Sequence, residues 1–295
     1  MSNSPIVSIF ITTYNHVSFI ETCLNSCLNQ TYQNIEICIS DDCSTDGTPE
    51  ILMAYAAKFP NIIRLNLNQD NLGLKYNAPI ALSMCSGKYI CGFSGDDVMH
   101  PTKIERQVME FLKNKRLVLC GHGINYIDAD GNFLFESTPN VKEGVGILNW
   151  LVGGVKTNAV SILFRADRVP SYGFDSRLNS VEKKLFIDII GEEGEFLFLN
   201  DALVDYRRHG HNLSNDYRTI EDSMILLRIL EEEFKFIPVG YINEVRSSIY
   251  FSEFAYFLKR KKYMKSIKKL MNLLLCSPKV FIQRLFLILG GKGLN

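Results

Sequence analysis

Residues 88–97 read KYICGFSGDD: an apolar run from Tyr89 to Phe93 that breaks at Ser94 and Gly95 into two adjacent carboxylates, Asp96 and Asp97. Like charges repel, and a carboxylate at the edge of a core is costly unless a cation or hydrogen-bond donors meet it. A short apolar run bounded by glycine is the pattern of a strand buried on both faces. The pair therefore marks the end of a buried strand at a place where something charged is held.

Working outward, the same pattern recurs upstream. Residues 6–12 (IVSIFIT) form a β-branched run ending in Thr12, Thr13, Tyr14 and Asn15. Phe19, Ile20, Cys23, Leu24, Cys27 and Leu28 then recur at helical spacing over 17–29. A strand at 35–39 precedes SDDCSTDG and a helix through Ile51, Leu52, Tyr55 and Phe59; a strand at 62–67 and a helix over 74–85 lead back to the strand at 88–93. Strands alternating with helices predict an α/β fold with a mainly parallel sheet, whose ligands bind at the carboxyl ends of the strands. Thr12 and Thr13, Asp41 and Asp42, Asn68 to Asn71, and Asp96 and Asp97 all fall there. Beyond residue 100 the pattern loosens: a helix over 101–114, strands near 117–121 and 160–165, a helix over 181–190, a strand at 196–199, and helices from 219 onward.

The chain has 295 residues, long enough for one large domain with an appendage, and 46% hydrophobic against 22% charged residues is ordinary globular composition. Its zero net charge hides an asymmetry. Ten of the 32 basic residues follow residue 254, where no Asp or Glu occurs, which leaves the first 254 residues at −10. No nucleic-acid partner is expected. The eight cysteines form no CxxC pair, and Cys23 and Cys27, one helical turn apart, read as packed thiols before metal ligands. A reducing, cytosolic compartment is expected. MSNSPIVSIF carries no secretory signal, and Lys279 and Arg284 interrupt the last apolar stretch, so no membrane span is expected.

Neither GxGxxG nor GxxxxGK[ST] occurs. Acids at the strand ends suit ribose hydroxyls, a base N–H and a metal-bound diphosphate instead. VSIFITTYNH, CLNSCLNQTYQNIEICISDDCSTDGTPEIL and SGKYICGFSGDD together resemble the family 2 glycosyltransferases of the GT-A fold, continuously over about residues 6–115 and more loosely to 215 through YGFDSRLNSVEKK and VDYRRHGHNLS. The resemblance implies a UDP-sugar donor and a Mn²⁺ or Mg²⁺ ion. It implies Thr12, Tyr14 and Asp42 at the nucleoside, with Asp42 accepting from the uracil N–H, Asp96 at the ribose, Asp97 on the metal, and His209 close to the diphosphate or metal, with Arg207 and Arg208 as alternative diphosphate clamps. An Asp pair that merely caps the helix at Pro101 is the alternative for 96–97.

Three features depart from that family. Its NxGxxxARN stretch reads NLGLKYNAP here, so Ala78 replaces the arginine and Asn77 or Lys75 is left to reach the nucleotide; SGDD replaces the commoner DxDD; and the Glu-Asp pair opening the acceptor-side helix is Glu182 followed by Lys183. Glu182 is the expected catalytic base, with Asp175 the runner-up.

In the tail, Tyr263, Ile267, Leu270, Met271 and Leu274 share one helical face and Lys262, Lys265, Lys268 and Lys269 the other. A GT-A domain over 1–218 and a helical C-terminal region over 219–295 are expected, the tail resting on the inner face of the cytoplasmic membrane. The reading is an inverting transferase that moves a sugar from a UDP-sugar to a lipid-diphosphate-linked saccharide of a bacterial surface polysaccharide. Its rivals are a non-catalytic sugar-nucleotide binder, which would release no UDP, and a nucleotidyltransferase, which would release diphosphate.

Overall fold

The structure, a computed structural model, describes residues 4–152, 158–179, 182–209, 218–276 and 282. The chain divides into two compact units, residues 1–176 with 180–212, and residues 177–179 with 213–295.

In the first unit β1 (Val7–Thr13), α1 (Ile20–Leu28), β2 (Ile35–Asp41), α2 (Thr48–Lys58), β3 (Ile63–Leu67), α3 (Leu74–Ser83) and β4 (Tyr89–Ser94) follow the alternation expected. Then come β5 (Val98–Met99), α4 (Lys103–Lys113), β6 (Leu117–Ile127), β7 (Phe133–Ser137), β8 (Glu143–Val145), α5 (Gly146–Val152), β9 (Leu163–Arg165), α6 (Glu182–Ile190) and β10 (Glu195–Arg207). One sheet runs β3-β2-β1-β4-β9-β6-β10-β5, with β7 on β6 and β8 on β10.

From β3 to β4 the strands are parallel. Val7, Ile9, Ile11, Ile37 and Ile39 are fully buried, which is why these strands read as unbroken apolar runs. Helix α1 buries Ile20, Cys23, Leu24 and Cys27, so that cysteine pair is core packing. The second half is mixed: β9 enters antiparallel between β4 and β6, while β6 and β10 run parallel. Both of these strands outrun their expected lengths. β6 continues through polar His122, paired with Leu199 of β10, and Asn125, paired with Glu136 of β7, and β10 crosses Asn200 and Asp201 through two register shifts to reach Arg207.

The amino end of the sheet is closed by Glu36. Its carboxylate accepts from Ser8 Oγ at 2.6 Å, the amides of Ser86 and Gly87 at 2.5 and 3.1 Å, and Arg64 Nη2 at 3.1 Å. Burial raises its carboxyl pKa, but these donors outweigh burial and hold it below the usual range. With Ser86 Oγ at 3.0 Å, Glu36→Ala strips five donors of their acceptor and is expected to cost about 3 kcal/mol in urea unfolding at neutral pH. With the folded pKa depressed, this stability is fully present above the unfolded pKa of about 4.3 and is lost as pH falls through the folded value. Glu36→Gln should flatten that acid limb.

The second unit contains α7 (Arg218–Glu233), α8 (Val239–Lys259) and α9 (Tyr263–Cys276). Helix α9 rests on α8 through buried Ser266, whose Oγ donates to Phe254 O at 3.0 Å, through the Lys269–Glu253 pair at 2.7 Å, and through buried Leu273. This differs from the face expected. Tyr263, Met264, Ile267, Met271 and Leu275 stand exposed beside Lys262, Lys265 and Lys268, with Leu270 and Leu274 half-buried. Lys269, read on the polar face, thus turns to buried Glu253, and the exposed apolar stripe runs through residues 263, 264, 267, 271 and 275. Among the described residues no helix is long and apolar enough to cross a membrane.

Candidate functional site

At the carboxyl end of β1, the 14–17 loop is stapled to the 42–48 loop. Asn15 N donates to Ser44 Oγ at 2.8 Å, Thr45 N to Asn15 Oδ1 at 2.9 Å, His16 N to Thr48 Oγ1 at 3.0 Å and Val17 N to Asp46 Oδ2 at 2.9 Å. These four bonds fix His16 over the end of the neighbouring strand, β4. There the chain needs Gly95: a Cβ on it would come within 2.8 Å of both His16 Nδ1 and Thr13 Oγ1.

Asp96 follows, buried, accepting from Ser94 Oγ and from His209 Nε2 at 2.8 Å. One ligand atom each from His16, Asp96 and His209 lies within 4.8 Å of the others. Phe19 stacks against the His209 ring at 5.3 Å between centroids. Burial lowers the His16 pKa and keeps the imidazole neutral, as a metal ligand must be. Asp96 is raised by burial, but the bonds from His209 and Ser94 and the nearby His16 prevail and hold it below the usual carboxylate range. Two imidazoles and one carboxylate, converging on the space that Gly95 leaves open, fit a divalent cation.

Asp97 lies apart from that cluster. It is fully buried, its Oδ1 accepts from Arg207 N at 2.8 Å, and its Oδ2 has no partner among the described residues. Burial and the charge of Asp96 push its carboxyl well above the usual range, toward the protonated form. The clustered ligand groups thus include Asp96, expected at the ribose, while Asp97, expected on the metal, stands one residue further on with its Oδ2 unpartnered among the described residues. Both belong to the turn after β4, in which Asp97 N donates to Ser94 O at 3.3 Å.

Arg207 is likewise an internal strut and not a diphosphate clamp. Its Nε donates to Asp96 O at 2.9 Å, its Nη1 to Ala129 O at 2.9 Å, and its guanidinium lies 4.9 Å from the Phe19 ring centre.

Asp42, at the end of β2, is buried and accepts from Leu72 N at 2.9 Å, Gly73 N at 2.8 Å and Asn68 Nδ2 at 3.1 Å, pinning the 68–73 loop over the rim. Asn77 is buried beneath it: Oδ1 accepts from Ser40 Oγ and Asn68 Nδ2, and Nδ2 donates to Ser40 O. Its amide braces the loop where the sequence had it reaching a nucleotide. Thr12 is half-buried, its carbonyl accepting from Gly95 N at 3.1 Å, and Tyr14 is exposed at the same rim.

Glu182 is the first residue of α6 and half-buried, and Asp175 is buried beside Phe174, whose ring packs edge-on against Phe10 of β1. Asp188 on α6 is taken up by Lys184 and Tyr172, each at 2.5 Å. The sequence reading passed over His16, Phe19 and Gly95. His16 had a signal, since it closes the polar segment TTYNH at a strand end.

A family model described as "Glycosyl transferase family 2" matches residues 8–161. The chondroitin synthase of Escherichia coli is 29% identical over 259 residues, covering 82% of this chain and 36% of its own length. The chain thus spans about a third of that synthase. Among solved structures, S. aureus TarS 1-349 in complex with UDP-GlcNAc superposes with a TM-score of 0.68 at 19% identity, covering 93% of this chain and 82% of that one. The mannosyltransferase PcManGT of Pyrobaculum calidifontis, in complex with GDP-Man and Mn²⁺, gives 0.62 at 12% identity, covering 98% and 80%. At these identities the likeness speaks to the fold, which is that of the GT-A glycosyltransferases.

Proposed function

The chain belongs to glycosyl transferase family 2, and on that premise we propose that it moves a sugar, with inversion, from a UDP-sugar to a hydroxyl of a lipid-diphosphate-linked saccharide in bacterial surface polysaccharide synthesis. The observation that carries the reading is the convergence of His16, Asp96 and His209 at the carboxyl ends of β1 and β4. A Mn²⁺ or Mg²⁺ ion held there would neutralise the charge that develops on the departing diphosphate.

The chain's own groups do the rest. Ser94 fixes one side of the Asp96 carboxylate, Phe19 backs His209, and the stapled loops hold His16, so the ligand set is in place before the donor arrives. Asp42 keeps acceptor capacity on Oδ2, which takes a single bond from Gly73 N, and in this reading receives the uracil N–H while Thr12 and Tyr14 line the nucleoside. Glu182 takes the proton of the acceptor hydroxyl as that oxygen attacks the anomeric carbon and the bond to UDP breaks. The solved fold relative with UDP-GlcNAc supports a uridine donor. Calorimetric titration with UDP, GDP and ADP in the presence of Mn²⁺ tests the nucleotide class: UDP should bind most tightly, and preference for another base refutes that part.

The exposed stripe on α9, with its flanking lysines, supports peripheral attachment to the cytoplasmic face of the membrane, where a lipid-linked acceptor resides. Each lysine near an anionic bilayer contributes about 1 kcal/mol. Replacing Lys265 and Lys268 together by Gln should therefore weaken partition onto phosphatidylglycerol vesicles by roughly thirtyfold at low salt. Wild-type protein that ignores such vesicles refutes the attachment.

A further inference from the structure

Strand alternation parts two neighbouring arginines at the end of β10. Arg207 turns toward the loop of Asp96, while Arg208, held in line by its backbone N–H donating to Ile127 O at 2.8 Å, turns to the other face. On that face the register sets Tyr206 opposite Tyr126, and Tyr126 opposite Phe135, so three aromatic rings run side by side across β10, β6 and β7.

Tyr126 and Phe135 stack at 4.5 Å, and Tyr206 meets Tyr126 edge-on at 5.4 Å. The Arg208 guanidinium lies 4.7 Å from the Tyr126 ring centre and 5.2 Å from that of Phe135. Phe135 is 43% exposed and its strand neighbour Phe133 62%. Arg208 is itself exposed, and among the described residues it has no carboxylate partner. Asp128, the nearest acid on the β6–β7 turn in sequence, is taken up by the amides of Asp130 and Asn132.

We propose that this surface binds an acidic saccharide, the sugar ring of one acceptor unit stacking on the outward face of Phe135 while its carboxylate meets Arg208. The proposal rests on the acceptor being a saccharide. Aromatic faces present a flat apolar surface suited to the C–H face of a pyranose. A guanidinium laid against such rings keeps its planar N–H edge for an anion, and that fork matches a carboxylate with two parallel bonds. Because the cation sits about 5 Å from both ring centres, the anion it takes and the ring that stacks belong to one sugar unit, as a ring carboxylate does. Arg208 precedes His209 of the proposed ion site, and its platform lies on the opposite face of the strand. It therefore suits an acceptor unit beyond the one being glycosylated.

The test is titration of the full-length chain with three disaccharides, one ending in glucuronic acid, one in glucose and one in glucose 6-phosphate, with UDP binding in Mn²⁺ as the control for folding. Wild type should favour the glucuronic disaccharide over the glucose one by about tenfold or more. Arg208→Met should erase that preference while the glucose disaccharide binds as before, and Phe135→Ser should weaken both glycans. Equal affinity for acidic and neutral glycans, or an Arg208→Met protein that keeps the preference, overturns the proposal. Stronger binding of the phosphate-bearing disaccharide overturns the carboxylate assignment. A Phe135→Ser protein that turns from dimer to monomer with glycan binding intact makes the patch a contact between copies of the chain, which also overturns it. UDP binding without glycan preference sinks this site alone; glycan preference in a protein that binds no UDP supports the site and sinks the transfer reading.

Discussion

Asp96→Asn is expected to stop sugar transfer, lowering kcat by about a thousandfold or more, and to remove Mn²⁺ binding with it. Asp96 is the only carboxylate among the three clustered ligand groups, and it also anchors His209 through a 2.8 Å bond. An amide removes the negative charge from the ligand set, and charge stabilisation of a leaving group by a bound cation is worth several kcal/mol, each 1.36 kcal/mol being a factor of ten. The loss should be visible without turnover: the six-line electron paramagnetic resonance signal of free Mn²⁺ should fall on adding wild type and persist on adding the variant.

Asp97→Asn is the control that separates the two neighbours. Its Oδ1 accepts a backbone N–H from Arg207 in a fully buried setting, and an asparagine oxygen can accept the same bond. Mn²⁺ affinity should change by less than about fivefold. A protein in which Asp97→Asn loses the ion and Asp96→Asn keeps it would reverse the assignment.

The second large effect concerns the proton. Glu182→Gln is expected to lower kcat by at least about a hundredfold with UDP-sugar affinity nearly intact, because general-base removal acts on the transition state and not on donor binding. Glu182 is the first residue of α6 and half-buried, at the position where the resembled sequences open the acceptor-side helix with an acid. Normal turnover by Glu182→Gln together with a dead Asp175→Asn would move the base seven residues upstream, to the buried acid beside Phe174.

How much of this could be read in the chain depended on what each residue's role required. The four-strand parallel half was legible because strands buried on both faces keep apolar runs such as VSIFIT and YICGF, whose carboxyl ends display their polar groups. The long strands β6 and β10 were cut short on paper, since His122, Asn125 and Asp201 interrupt the apolar pattern; pairing of β6 with β7 and β10, and the bulges of β10, which no local pattern encodes, carry the backbone through them.

At the site, the sequence put an acid pair at the strand end but held no sign that Asp96 meets His16 and His209, which lie 80 and 113 positions away. His16 was hidden for a related reason. Its place beside Asp96 comes from staples to Ser44, Asp46 and Thr48 about thirty positions away, together with the missing side chain of Gly95. On α9 the apolar periodicity was real, but Lys269, placed on the polar face, pairs with buried Glu253 of α8.

The central claim is that this family 2 glycosyltransferase moves a sugar from a UDP-sugar with the aid of a cation held by His16, Asp96 and His209. The most direct measurement is incubation of the full chain with a panel of UDP-sugars and a lipid-diphosphate–GlcNAc mimic, with Mn²⁺ or with excess EDTA, reading UDP release and acceptor mass together. The account predicts that one donor yields stoichiometric UDP and an acceptor heavier by one sugar in Mn²⁺, and that both signals vanish in EDTA and in Asp96→Asn. Undiminished product in excess EDTA, or release of diphosphate in place of UDP, would contradict it.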